Sequence, residues 1–347
     1  MIYININSKN GYFHKQLEAL GHKFQFVNNE KDFIENSTIK KTIYISKASQ
    51  KDIHPCPGTK YYRCCNYHVF DLVSGCPFDC TYCVLQALIK DPYISVYENL
   101  EDLTNNLELL NSKGRYRIST GEMSDSLALD SLLRISNYII PKINKLDNIL
   151  FEFKTKSGCI NNLLHLNPKN IIISWSLNPE DVIQGEEHKT ASLNERLAAA
   201  KICSDYGYKI ALHFDPLIFC ENFEEEYKLL IKKVIDNLKE SSVLYISLST
   251  LRFLPEITDM IRLNFTDTKL LSSNFIYSLD GKLRYFKPLR SYMLEYIYKC
   301  IREYWKEVFI YFCMEDAILW RKIIGIDPGC RFKFENYFMG GNKCIHF

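Results

Sequence analysis

The chain has 347 residues, with 43 Lys and Arg against 41 Asp and Glu for a net charge of +2. That length holds one large domain or two smaller ones, and 47% apolar with 24% charged residues excludes collagen-like, low-complexity and disordered classes. The charge balance removes any global pull toward nucleic acid or an anionic membrane, so only a local patch could supply one.

Residues 1–67 hold β-like runs at Ile2–Ile6, Lys23–Val27 and Thr42–Ser46, with a helix-like stretch around Tyr12–Leu20, and read as a small N-terminal lobe. Met1–Asn10 alternates apolar and polar residues without a basic or an apolar leader region, so no signal peptide is expected. No apolar run reaches the ~18 residues of a membrane helix. A cytoplasmic protein without a membrane partner is the expectation.

From residue 68 to 250, apolar strand candidates alternate with helical patterns: Val69–Val73, Tyr116–Ser119, Ile149–Lys154, Ile171–Leu177, Tyr208–Phe214 and Val243–Leu248. That alternation implies parallel βαβ units and an open or closed α/β barrel. Ser192 with Glu195 reads as a capping box opening Leu193–Cys203, Asn222 with Glu225 repeats the signature before Tyr227–Leu238, and Gly207 marks a helix stop. Residues 251–347 read as an extension. Asp280-Gly281 between Phe275–Leu279 and Lys282–Phe286 predicts a two-residue type I′ hairpin, followed by helices over Ser291–Trp305 and Glu315–Ile323.

Thirteen cysteines are the informative count, because clustered thiols in a reducing compartment more often ligate metal or do redox chemistry than form disulfides. Cys76, Cys80 and Cys83 lie together in Gly75-Cys-Pro-Phe-Asp-Cys-Thr-Tyr-Cys-Val-Leu-Gln86, just after the first barrel strand candidate. A structural zinc site wants four ligands. Three thiolates on one loop can instead hold three irons of a 4Fe-4S cubane and leave the fourth open. Cys56, Cys64 and Cys65 form a second group that could ligate an auxiliary metal or cluster, with Cys330 and Cys344 as further ligands; buried thiols are the plainer reading, since adjacent side chains on an extended chain point to opposite faces.

The spacing Cys-x3-Cys-x2-Cys after a first strand resembles the radical S-adenosylmethionine superfamily. That resemblance implies a partial (βα)6 barrel, a 4Fe-4S cluster on Cys76, Cys80 and Cys83 whose open iron chelates S-adenosyl-L-methionine, and a 5′-deoxyadenosyl radical that abstracts hydrogen. Within it, Tyr82-Cys83 with Leu85-Gln86, Pro92-Tyr93-Ile94, Ser124-Asp125 with Asp130, Thr155-Lys156, Ser176 with Asn178, and Leu193 with Arg196 resemble the spore photoproduct lyase family, from about Cys76 to Tyr285. This implies a DNA repair lyase acting on a thymine-dimer lesion, with a reducing partner such as flavodoxin or ferredoxin. Carried over by position, Glu122 in Thr-Gly-Glu-Met would touch the methionine ammonium, whose hydrogen bonds a carboxylate accepts. Ser124, Lys156, Ser176 and Asn178 would contact the cofactor, as would His213 at the end of the fifth strand, on the rim where α/β folds bind ligands.

Two positions depart from that family. Aligning Ser124-Asp125 without gaps puts Glu122 where the family has its hydrogen-donor cysteine, and Val84 stands where it has one of two radical-relay tyrosines, Tyr82 keeping the other. Either another thiol donates, with Cys159, Cys220 and Cys313 as candidates, or a different radical hydrogen abstraction takes place on a nucleotide, RNA or small molecule. A noncatalytic iron–sulfur or zinc protein binding nucleic acid is the alternative from another class. The segment Gly281–Arg290 carries four basic residues, two aromatics and no acid. Basic side chains hold phosphates and an aromatic can wedge an opened base step; the resemblance, whose family opens DNA at the lesion with a hairpin in this general region, implies DNA contacts by Lys282, Arg284, Tyr285 and Lys287, a solvated hairpin being the plainer reading.

Overall fold

The computed structural model describes residues 1–37, 40–48 and 51–333. Its centre is an eight-stranded sheet in which seven parallel strands run in chain order: β1 (His68–Val69), β2 (Tyr116–Ser119), β3 (Ile149–Thr155), β4 (Ile171–Ser176), β5 (Lys209–Leu217), β6 (Val243–Thr250) and β7 (Phe309–Phe312). His54–Pro55 adds an antiparallel edge strand beside β1. When each strand is added on the same side of the last, the crossovers wind one way and the sheet curls into an open half-barrel.

The residues explain the architecture. Every residue of β4 is buried, as its sequence Ile-Ile-Ile-Ser-Trp-Ser suits a parallel strand covered on both faces. The helix Leu193–Tyr206 that follows begins at the expected capping box, with both Ser192–Glu195 bonds made, and stops at Gly207. A second sheet takes Ile2–Asn5, Gln25–Val27, Ile43–Ser46 and Ile94–Tyr97 in parallel, with Val73–Ser74 antiparallel at its edge. The helix Tyr12–Ala19 buries Phe13 and Leu17 in the main core.

Four local expectations are corrected. The predicted strand Val69–Val73 is two short strands in different sheets, because the chain turns between them, Leu72 N–H donating to Phe70 C=O. A seventh barrel strand, Phe-Ile-Tyr-Phe at 309–312, pairs with β6; four apolar residues between two helices carry too little period to be called a strand. Asn222 sits in the left-handed region without a side-chain cap, and the helix starts at Phe223. The hairpin is not type I′, which needs φ > 0 at both central residues: of Asp280 and Gly281 only Gly281 has positive φ. Gly281 N–H donates to Ser278 C=O and Ser278 N–H to Lys282 C=O, a three-residue turn with a bulge. Among the described residues no helix is long and apolar enough to cross a membrane.

Candidate active site

The cysteine loop leaves Val73–Ser74 and is stitched to the end of β2 by Gly75 N–H donating to Met123 C=O at 3.0 Å. Asp79–Cys80 then pairs antiparallel with Glu187–His188, and Cys83 N–H closes a turn onto Cys80 C=O at 3.1 Å. The result presents Cys76, Cys80 and Cys83, all free thiols, to a cleft of about 500 Å³ at the C-terminal ends of the barrel strands. Burial raises all three thiols, that of Cys76 to about 12 with the Asp125 carboxylate adding to the effect. Such a pocket needs a cationic guest before its thiols ionise.

Glu122, Ser124, Lys156 and Ser176 line the same cleft. Glu122 Oε2 and Ser124 Oγ are buried there without a hydrogen-bond partner. An unmet acceptor so placed costs about 1–3 kcal/mol, and burial followed by the nearby Asp71 charge raises the Glu122 carboxyl. These two orphaned oxygens beside three free thiols fit an amino-acid ligand on an iron–sulfur cluster: Cys76, Cys80 and Cys83 would hold the cluster, Glu122 the ammonium. Gly121 makes the close turn possible, since a Cβ there would meet Ser126 Oγ at 2.9 Å and Lys154 Cβ at 3.3 Å. Asp125, seen in the sequence only as part of a motif, is the brace: it accepts from the backbone of Leu127, Ala128 and Lys156 and from Thr155 Oγ1, at 2.6–3.0 Å.

Behind the loop stands Glu187, which sequence reasoning missed because no motif surrounds it. It is fully buried, accepts from the Tyr82 hydroxyl and from Asn178 Nδ2, and pairs with Arg196 at 2.7 Å and Lys156 at 3.4 Å. Burial alone would raise its carboxyl; Lys156 and Arg196 outweigh that and hold it at about 2. Tyr82 therefore lines the cleft with its hydroxyl fixed, and Lys156 is oriented rather than a loose surface lysine. Lys154, Asp215, Arg252, Met314 and the hairpin's Lys282 complete the wall opposite the cysteine loop.

The remaining sequence candidates fall elsewhere. Asn178 is fully buried, donating to Glu187 and accepting from the Tyr227 hydroxyl, so it supports the site from behind and does not line it. His213 points into the barrel, with Nε2 2.8 Å from Glu152 Oε1. Arg284 is buried in an ion pair with Asp280 at 2.6 Å and lies over the Tyr62 ring, and Tyr285 is 0% exposed with its hydroxyl accepting from Phe219 N–H. Both are corrected from DNA contacts to hairpin anchors: alternation sends these neighbours to opposite faces, and each face is covered, Arg284 by Tyr62 and Asp280, and Tyr285 by the stacked Phe275 ring. Lys287 opens the helix Lys287–Tyr304 and pairs with Asp316. Tyr277 and Leu279 occupy the exposed side and tip of the hairpin instead.

Cys56 lines the cleft, and Cys64, Cys65 and Cys313 lie close enough to it and to one another that neighbouring thiols perturb each other's ionisation. Cys159 lies outside the cleft, Cys220 lines a different groove, Cys330 accepts from Arg63, and Cys344 is outside the described residues.

A one-way half-barrel whose first loop presents three thiols to a cleft with an orphaned carboxylate defines the radical S-adenosylmethionine class of enzyme. The family description "Spore photoproduct lyase" matches residues 58–307, and the chain belongs to that family. It is 28% identical over 253 residues to the spore photoproduct lyase of Clostridium acetobutylicum, covering 72% of this chain and 71% of that one. With the Bacillus subtilis enzyme it shares 26% over 245 residues, covering 67% and 68%. The crystal structure of a spore photoproduct lyase complexed with dinucleoside spore photoproduct superimposes with a TM-score of 0.77 at 21% identity, over 90% of this chain and 98% of that chain. At that identity the superposition speaks for the fold.

Proposed function

We propose that this chain is a radical S-adenosylmethionine lyase that reverts a spore photoproduct, a thymine-dimer lesion in DNA. The observation that carries the reading is the convergence of Cys76, Cys80 and Cys83 with the unpartnered Glu122 Oε2 and Ser124 Oγ on one cleft. When bound, the cluster and S-adenosylmethionine supply a 5′-deoxyadenosyl radical that abstracts a hydrogen atom. The chain's own residues do the rest: Glu122 takes the ammonium, Ser124 and Ser176 offer hydroxyls, and Lys156 stands ready for a carboxylate. Relatives named for this activity, and the titled complex with the dinucleoside lesion, support the substrate class.

The hairpin supports a duplex rather than a free nucleotide. Lys282 faces the cleft while Tyr277 and Leu279, 73% and 77% exposed, project beyond it. An apolar wedge between base steps opens a duplex toward a buried site. A one-electron donor such as ferredoxin or flavodoxin in the cytoplasm completes the partners.

The departures at Glu122 and Val84 favour a second reading, radical hydrogen abstraction on another nucleotide or small molecule. Anaerobic reconstitution with iron and sulfide, reduction, and incubation with dinucleotide spore photoproduct separates the two. Repaired thymine dinucleotide together with 5′-deoxyadenosine is the expected result. Release of 5′-deoxyadenosine with the lesion intact would replace the lyase reading by the second, and absence of 5′-deoxyadenosine would remove both.

A further inference from the structure

We propose that Lys40 is a positioning residue for the cluster loop and that, with Lys189 and Asp79, it sets the potential at which the loop accepts its electron. The inference rests on the cluster part of the proposed function and is independent of the substrate. Lys40 lies outside the matched residues 58–307, just before the strand Ile43–Ser46 of the N-terminal sheet. Its Nζ donates to Phe78 C=O at 3.0 Å and pairs with one oxygen of the Asp79 carboxylate, so it grips the loop between Cys76 and Cys80. The other Asp79 oxygen pairs with Lys189 Nζ at 3.2 Å. Lys189 follows directly on the ribbon that sets Asp79 opposite His188 and Cys80 opposite Glu187.

The arrangement is held against a conformational cost. Lys40 and Lys189 both sit in the left-handed region, at φ +62 and +65. Such strain in a residue with a Cβ persists where the surrounding structure holds it, and it gathers at functional sites. Two lysines share one carboxylate, which leaves a positive charge in surplus on the outside of the loop. The cleft side differs: Glu122 and Asp125 line it, and Lys156 and Arg196 are engaged with Glu187. With side chains 25% and 31% exposed, the Lys40–Asp79 pair adds little to stability. Its weight lies in the field it places on the loop.

That field has a definite sign. One electron passes from the ferredoxin- or flavodoxin-type donor to the irons held by Cys76, Cys80 and Cys83; the donor is oxidised by one electron, the irons are reduced by one, and no proton or bond is exchanged. The loop with its irons becomes one unit more negative, so a nearby positive charge favours the reduced state and a nearby negative charge opposes it. Lys40 and Lys189 therefore raise the potential and Asp79 lowers it. Partly buried charges keep this effect in salt better than exposed ones.

A redox titration of the reconstituted holoenzyme without substrate, followed by electron paramagnetic resonance, tests this. Lys40→Met keeps the length of the side chain and loses its charge, and should shift the cluster's midpoint potential to a more negative value. Lys189→Met should shift it the same way and, at a more exposed position, tests the sign should Lys40→Met fail to hold a cluster. Asp79→Asn should shift the potential to a more positive value, and Lys40→Arg should restore that of the wild type. A clamp without an electrical role would loosen the loop in Lys40→Met and Asp79→Asn alike, so shifts of one sign in both, or no shift in either, would overturn the proposal. Wild-type brown absorbance and far-ultraviolet circular dichroism in the variants would show loop and fold intact and assign the shifts to charge. No brown absorbance in the reconstituted wild type would instead overturn the cluster reading itself.

Discussion

Two carboxylates on adjacent strands, Glu122 just past β2 and Glu152 within β3, have opposite surroundings. Glu152 is fully buried and every acceptor direction is met: His213 at 2.8 Å, Ser174 at 2.6 Å, Tyr245 at 2.5 Å and Arg117 at 3.3 Å. Glu122, one layer nearer the rim, has a buried oxygen with no partner. Buried polar groups in folded proteins are nearly always satisfied, so the first is a structural strut and the second is poised for a guest. The same contrast separates the cysteines. Those at 76, 80 and 83 line the cleft, while those at 64, 65 and 313 do not.

Breaking the rim should abolish chemistry and leave the fold, and the largest such effect comes from the loop thiols. Replacing Cys76, Cys80 and Cys83 by Ala should remove the brown cluster absorbance and all 5′-deoxyadenosine formation, with far-ultraviolet circular dichroism unchanged. Retained absorbance would move the cluster elsewhere.

Breaking the layer below should do the reverse. Removing one member of a buried ion pair costs about 3–5 kcal/mol because the other charge is stranded, so Glu152→Gln should lower the thermal midpoint clearly. Its pH dependence has a defined sign. Burial would raise the Glu152 carboxyl, but the bond from His213 and the Arg117 charge hold it well below its ordinary value, while burial, aided by Lys154, lowers His213. Both folded-state values lie below the unfolded ones, so the unfolded chain binds more protons as pH falls. The native state should lose stability first below about pH 6.5, from His213, and then below about 4.5, from Glu152. Thermal melts across that range should show Glu152→Gln losing the lower part of the slope; an unchanged slope would mean the pair is not the source.

This contrast also explains what the sequence could and could not reveal. The cysteine spacing and the long buried runs of β3 to β6 are local signals, and they located the half-barrel and the cluster loop. Glu122 and Ser124 were legible through motif position. His213 and Asn178 were indistinguishable from them in sequence, because strand-end polar residues look alike until the fold supplies Glu152 for one and Glu187 with Tyr227 for the other. Glu187, and the approach of Cys313 to the Cys56, Cys64 and Cys65 group that the sequence does show, come from contacts between distant segments, which no spacing encodes.

A subtler rim test is Glu122→Gln, which keeps shape and loses charge. A hydrogen bond to a charged group contributes about 1.5–3 kcal/mol, so apparent affinity for S-adenosylmethionine should fall roughly ten- to hundredfold, with cluster absorbance and the thermal midpoint held. A midpoint drop like that of Glu152→Gln would mean that Glu122 is a strut too.

The smallest expected effect lies on the hairpin, where the contrast between anchor and presented residue can be made within a few positions. Arg284 and Tyr285 hold the turn from inside, while Tyr277 and Leu279 stand in solvent. Replacing both exposed residues by Ala should leave repair of the free dinucleotide unchanged, since that substrate needs no strand opening. Repair of the same lesion within a duplex should fall severalfold, because unstacking a base step costs a few kcal/mol that the wedge would offset. Arg284→Ala should reduce both substrates alike by loosening the turn beside Met314, whose carbonyl it also holds at 3.0 Å. Equal loss on both substrates from the Tyr277 and Leu279 pair would make the tip another structural element and remove the case for a duplex wedge.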